Sequence, residues 1–189
     1  MCKHTMSDRI IKDLAANRHI VLLGYMGCGK STAGRLLAEQ LELPFVDLDE
    51  YLTNKHGDSI PNLFFKNGEI GFRKLEKISL GELLFNQKVS VLSLGGGTPC
   101  YADNMQSVLQ ATHNTFYLSP SVNMLCNRLF PVRSKRPMIS HLNTKKDLLE
   151  FISKHIFERK QFYEQANHPI YVRDESPEEL VSKIIQKLG

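Results

Sequence analysis

Residues 24 to 32 read Gly-Tyr-Met-Gly-Cys-Gly-Lys-Ser-Thr, which fits the pattern G-x-x-x-x-G-K-[ST] and directly follows the apolar run Ile20-Val21-Leu22-Leu23. Residues of these types at this spacing cradle phosphate. Gly24, Gly27 and Gly29 let the backbone curl so that its N–H groups converge on anionic oxygens, at the positive end of a helix expected to start near Lys30. Lys30 adds a point charge able to reach β- and γ-phosphates, and Ser31 offers a hydroxyl to Mg²⁺. The expected contacts to a nucleoside triphosphate come from Gly27, Cys28, Gly29, Lys30, Ser31 and Thr32. Cys28, beside a helix N-terminus and Lys30, is placed where a thiolate is favoured, although a small side chain filling a loop slot is the simpler account.

A phosphate loop alone does not choose between a kinase, a switch GTPase and a mechanical ATPase. The carboxylates that follow narrow the choice. In Phe45-Val46-Asp47-Leu48-Asp49 the two aspartates stand at i and i+2, so on a strand they face one side while Leu48 faces the other. At the carboxyl end of a strand beside the loop, one can join a Mg²⁺ hydration shell and the other can take a proton from an attacking hydroxyl. The alternative is a pair of turn aspartates capping a helix over Glu50-Tyr51-Leu52. Farther on, Arg73 and Glu76 are three apart and can pair on one helical face, which would aim the guanidinium. An arginine on a helix is otherwise simply solvated. Gly95-Gly96-Gly97 closes an apolar run and admits close approach of backbone to a ligand, or forms a flexible turn.

These groups need a scaffold at the ends of strands. Apolar runs at 19–24, 45–48, 89–94, 115–118 and 169–172 alternate with helical patterns, which predicts a parallel sheet covered on both faces. The last helix has a full start signal in Ser176-Pro177-Glu178-Glu179: a serine cap, proline at the first helical position and glutamate at the third. Residues 130–146 are basic, broken by proline and without a period, and are expected to form a mobile loop over the site.

At 189 residues with 42% apolar composition, one domain with one sizeable core is expected. No apolar stretch reaches the roughly 18 residues of a membrane span, and the N-terminal residues lack the apolar region of a signal peptide, so the expectation is a soluble cytoplasmic protein. Four scattered cysteines carry neither zinc nor disulfide spacing, and none of the seven histidines has a ligand partner at metal spacing. The net charge of +4 is mild and no dense basic run occurs, which fits anionic small molecules rather than nucleic acid.

The series G-x-x-G-x-G-K-S-T, D-x-D, G-x-S-I with G-E-x-x-F-R-x-x-E, G-G-G and R-P resembles the shikimate kinase family over nearly the whole chain. The resemblance implies an α/β, three-layer P-loop kinase fold with a five-stranded parallel sheet flanked by helices and a mobile lid. It implies a single domain over 1–189, with the lid near 128–146 and a shikimate-binding segment near 49–76. The implied reaction moves the γ-phosphoryl group of ATP to the 3-hydroxyl of shikimate, a step of chorismate and aromatic amino acid biosynthesis. By the same resemblance, Asp49 holds the shikimate hydroxyls and acts as base, while Asp47 joins the Mg²⁺ water shell with Ser31. Arg73 and Arg159 would bind the shikimate carboxylate, and Gly95, Gly96 and Gly97 would lie against the ring. Arg136 would fold over the transferring phosphates; the lid departs from the family pattern in having Arg128, Arg133 and Lys135 nearby as further cations. Glu175 belongs to a segment similar to the loop that packs on adenine. The family also implies a monomer. Chemically, arginines at one end and a carboxylate at the other complement an acid bearing three hydroxyls. Other readings are a small-molecule kinase of the same fold, of gluconate or adenylate type, and a nucleotide switch or binding module without turnover.

Overall fold

The computed structural model describes residues 19–86 and 88–188; the expectation drawn from the N-terminal residues lies outside them. Five strands, β1 (His19–Leu23), β2 (Phe45–Asp47), β3 (Ser90–Ser93), β4 (Thr115–Pro120) and β5 (His168–Val172), form one parallel sheet in the order β2-β3-β1-β4-β5. All five coincide with the apolar runs, within a residue or two at their ends. Strand β1 is fully buried along its length because it is covered on both faces. Ile20 and Leu22 point into one core layer and Val21 and Leu23 into the other, as the two-residue period of a strand requires.

Seven α-helices are described: α1 (Lys30–Gln40), α2 (Leu48–His56), α3 (Ile60–Leu84), α4 (Asn104–Ala111), α5 (Val122–Leu129), α6 (Lys145–Tyr163) and α7 (Pro177–Ile185). Side chains of α1, α5, α6 and α7 build the layer on Ile20 and Leu22; those of α2, α3 and α4, with Tyr163 at the end of α6, build the layer on Val21 and Leu23. Truncating one of these central residues, Leu22→Ala for instance, carries the roughly 2–5 kcal/mol cost of a core cavity. Glycine inside a helix ordinarily weakens it, but Gly34 of α1 has a packing reason. A Cβ there would come within 2.5 Å of the Phe45 ring, so the missing side chain lets α1 lie close on β2.

Helix starts follow the sequence signals. Ser176 caps α7 with the reciprocal Glu179 bond of a full capping box, and Ser59 and Thr144 cap α3 and α6. Gly68, at φ 64°, ψ 177°, kinks α3 and separates its first two turns from the long segment that carries Arg73.

Strand order reverses beside β1, whose chain continues to the β4 side after the connection through β3. Ligands of open parallel sheets bind outside the carboxyl ends at such a switch point. The phosphate loop after β1, Asp47 at the end of β2 and the glycines after β3 all lie there.

Candidate active site

Gly24, Gly27 and Gly29 adopt φ values of 141°, 77° and 102°, so the loop has the left-handed turns that its glycines predicted. Helix α1 begins at Lys30, a residue 8% exposed whose ammonium donates to the carbonyls of Gly24 at 2.8 Å and Tyr25 at 3.0 Å. Cys28 is fully buried in the core, and its N–H donates to Tyr25 O at 3.2 Å. Its side chain therefore fills the loop slot and does not line the cleft.

Asp47 and Asp49 meet in the same cleft, but by a different route from strand alternation. Strand β2 ends at Asp47, which caps α2 by accepting from Asp49 N at 3.0 Å, and Asp49 lies in the first helical turn. The capping alternative and the site reading hold together: one carboxylate oxygen of Asp47 caps the helix while the other accepts from Ser31 Oγ at 2.8 Å. That pair of hard oxygen donors beside the phosphate loop suits a Mg²⁺ ion, which takes one or two protein oxygens and completes its shell with phosphate and water. Among the described residues no cluster of three or more His, Cys, Asp or Glu side chains suits a metal by itself.

Asp49 is exposed along the cleft that it lines. Desolvation pushes its carboxyl up to about 6, with Asp47 and Glu76 adding to the rise and Lys30 and Arg73 opposing it. A carboxyl at that value is mostly ionised at neutral pH.

Arg73 Nη1 donates to Glu76 Oε2 at 2.7 Å, as the three-residue spacing predicted, and Glu76 Oε1 accepts from the buried Thr98 hydroxyl at 2.6 Å. Glu76 is 2% exposed, so the guanidinium is braced by a carboxylate that is itself fixed. The glycine triplet does not take left-handed conformations; its glycines are required by space. A Cβ on Gly95 would stand 3.0 Å from Asp49 Oδ1 and 2.8 Å from Thr98 Oγ1. One on Gly97 would stand 2.7 Å from Arg73 Nη2, and one on Gly96 would face the phosphate loop at Met26 N, 3.4 Å away. The triplet thus forms a bare floor joining loop, carboxylate and arginine. Tyr163 holds that floor from beneath by donating to Gly96 O at 2.5 Å.

A cleft of about 320 Å³ is lined by loop residues Met26, Gly27, Gly29, Lys30, Ser31 and Thr32, together with Asp47, Asp49, Gly95, Gly96 and Arg136. Arg136 ends a short 3₁₀ helix over Phe130–Lys135, so the segment expected to be an aperiodic loop contains a helical turn and is pinned by fully buried Ile139. Arg133 serves that structure and not the cleft: it donates to Leu142 O at 3.0 Å and Phe130 O at 2.9 Å, with its guanidinium 4.1 Å from the Phe130 ring centroid. Arg128 Nη1 reaches Gly27 O at 3.4 Å. Arg159, on α6, lies over the Tyr25 ring, its guanidinium carbon 5.7 Å from the ring centroid.

Glu175, like Cys28 and Arg159, is not among the residues that line this cleft. Its carboxylate pairs with Lys183 and accepts from Arg173 N, and the Lys183 bond chiefly holds it below the usual carboxylate range. A separate hollow of about 440 Å³ beside the loop is lined by Ser31, Thr32, Arg35, Pro177 and Glu178 instead. Sequence reasoning missed the role of Thr98 as a brace and of Met26 as a lining residue. A hydroxyl immediately after three glycines was the available signal for the first.

A phosphate loop joined to a strand-end carboxylate pair, with a braced arginine and a basic segment above, defines a P-loop phosphotransferase acting on a small acidic acceptor. A sequence model of the shikimate kinase family matches residues 26–189. A shikimate kinase of Flavobacterium johnsoniae is 41% identical over 170 residues, covering 90% of this chain and 98% of the relative. The solved shikimate kinase of Acinetobacter baumannii, in complex with shikimate, superposes with TM-score 0.82 at 32% identity, covering 94% of this chain and 96% of its own. That of Bacteroides thetaiotaomicron gives 0.80 at 34% identity, with coverage of 90% and 96%. The chain belongs to the shikimate kinase family, and its activity is phosphoryl transfer from ATP to shikimate.

Proposed function

We propose that Asp49 is the base of the transfer, that Arg73 and Arg159 hold the acceptor's carboxylate, and that Lys30 and Arg136 neutralise the phosphates. The observation that carries this reading is the glycine floor: Gly95 abuts Asp49 and Gly97 abuts Arg73, so one side-chain-free stretch of backbone adjoins a carboxylate at one end and a guanidinium at the other. An acceptor whose carboxylate engages the arginine presents its far hydroxyls to Asp49, next to the phosphate loop. The hydroxyl oxygen forms a bond to the γ-phosphorus, the bond from that phosphorus to the β–γ bridging oxygen breaks, ADP leaves, and the hydroxyl proton passes to Asp49. Membership of the shikimate kinase family assigns the attack to the 3-hydroxyl, one of the hydroxyls so presented.

Ser31 and Asp47 would hold Mg²⁺, Asp47 through water, and the ion would supply charge neutralisation at the phosphates. Lys30 must leave the Gly24 and Tyr25 carbonyls to reach phosphate, and Arg136 covers the same cleft from above. Phosphoryl transfer asks mainly for positioning and charge, and these residues supply both.

A coupled ADP-release assay with Mg·ATP, comparing shikimate, quinate, gluconate, AMP and no acceptor, tests the acceptor site. Release that depends on shikimate is expected. The Asp49→Asn variant should then keep Mg·ADP affinity within about twofold and lose at least a hundredfold in kcat, the scale of general-base catalysis. An Asp49→Asn enzyme with near-normal kcat would remove Asp49 as base.

A further inference from the structure

Tyr25, in the phosphate loop, is 2% exposed and touches the charged ends of two side chains. Its backbone carbonyl accepts from Lys30 Nζ, while its ring lies 5.7 Å from the Arg159 guanidinium. The phenol is paired with His155 Nδ1 at 3.3 Å. His155 and Arg159 stand one turn apart on α6, so both meet the same ring. His155 is in turn held against Phe151, ring centroids 4.1 Å apart. On its other side Arg159 lies beside the Tyr163 hydroxyl, which is fixed to Gly96 O.

From this arrangement we infer that Tyr25 is a positioning residue for Arg159, holding its guanidinium at the carboxylate end of the acceptor pocket by the negative face of its ring. The inference rests on the reading of Arg159 as a carboxylate ligand. Arginine is long and rotamer-rich, and the α6 backbone by itself does not choose where its guanidinium lies. An aromatic face within about 6 Å supplies a directional attraction, stronger where solvent is excluded. The His155 bond and the buried setting keep that ring from turning. Before nucleotide binds, this one loop residue holds the phosphate-side lysine by its carbonyl, and its ring meets the acceptor-side arginine.

The test measures dissociation constants by calorimetry for shikimate, for its neutral carboxamide and for Mg·ADP. Tyr25→Phe keeps the ring and should bind shikimate within about twofold of wild type. Tyr25→Met fills similar space without a π face and should weaken shikimate about three- to tenfold, with the carboxamide and Mg·ADP unchanged. Replacing Tyr25 by 3,4,5-trifluorophenylalanine keeps the shape of the Phe variant and drains its face, so it gives the same loss even if the Met variant does not fold. Equal losses for acid and amide, or a parallel loss of Mg·ADP affinity, would mean that the ring only packs the loop and would overturn the inference. The Arg159→Ala enzyme separates the two levels. If it binds shikimate like wild type, the carboxylate assignment fails. If it binds more weakly while the fluorinated Tyr25 enzyme does not, only the role of Tyr25 fails. In an Arg159→Ala background the Tyr25→Met effect should vanish.

Discussion

Gly97→Ala isolates the acceptor site from the rest of the fold. Gly97 sits at φ −94°, ψ −16°, a conformation open to any L residue, so alanine brings no backbone strain. Its methyl group would lie 2.7 Å from Arg73 Nη2 and 3.1 Å from Nη1. Ordinary contact begins at 3.4 Å, so the guanidinium must retreat by about 0.7 Å, the difference between 3.4 and 2.7. It cannot do so freely, because Glu76 and Thr98 brace it from behind and the Phe64 and Phe72 rings flank it at 5.7 and 5.6 Å. A carboxylate that met Arg73 in a two-point contact loses that geometry. Charge-assisted hydrogen bonds of this kind contribute about 1.5–3 kcal/mol, which is a roughly ten- to hundredfold weaker dissociation constant for shikimate. Mg·ADP affinity should stay within about twofold. The gain of about 0.4–1 kcal/mol that replacing glycine brings through the unfolded chain offsets part of the strain at Arg73, so the melting temperature should move by no more than a few degrees. Calorimetry with both ligands and a thermal melt together decide it. Normal shikimate affinity in a folded Gly97→Ala enzyme would remove Arg73 from the carboxylate site.

The pH dependence follows from Asp49. A base with a free-enzyme pKa of about 6 makes kcat/KM for shikimate fall about tenfold per pH unit below 6, and a profile flat down to pH 5 would contradict it. Because this carboxyl is raised from 3.8 in the folded state, its contribution to stability is fully present below 3.8 and is lost as pH rises through about 6. Urea melts should therefore find Asp49→Asn more stable than wild type at pH 8, with the difference gone near pH 3.5. Arg136→Ala should lower kcat at least a hundredfold, while Arg133→Ala should lower kcat by less than tenfold and act mainly through lid order, read as a higher KM for ATP. Equal losses of kcat would reverse the division between the two. Thr98→Val leaves a buried Glu76 oxygen without its hydroxyl, and denaturant unfolding should show a loss of about 1–3 kcal/mol.

The elements of this chain were legible because their signals are local. Five apolar runs became five parallel strands, the loop glycines took left-handed turns, and the Ser176–Glu179 pair formed its capping box, since each depends on residues within a few positions. The Arg73–Glu76 pair was legible for the same reason, both partners lying on one helix. Reading Asp47 and Asp49 as strand neighbours failed because the sequence does not mark where β2 stops; the capping preference of Asp47 ended the strand one residue before Leu48. Glu175 carried a motif position but was taken up by Lys183, one of several cations within reach that only the turn into α7 could choose. Arg133 and Arg136 look alike in a basic segment, and the 3₁₀ turn aims one at backbone carbonyls and leaves the other on the cleft.

The sequence by itself determined that this protein cradles phosphate, which acidic and basic groups accompany the loop, and the order in which strands and helices carry them, because these properties are written in residue type and short spacing. Tertiary structure alone decided the contacts between segments far apart in the chain. It put Gly95 against Asp49, Gly97 against Arg73, Thr98 on Glu76 and Tyr25 under Arg159. Those contacts depend on how closely strands and helices pack, to within a few tenths of an ångström, and no local periodicity encodes that distance.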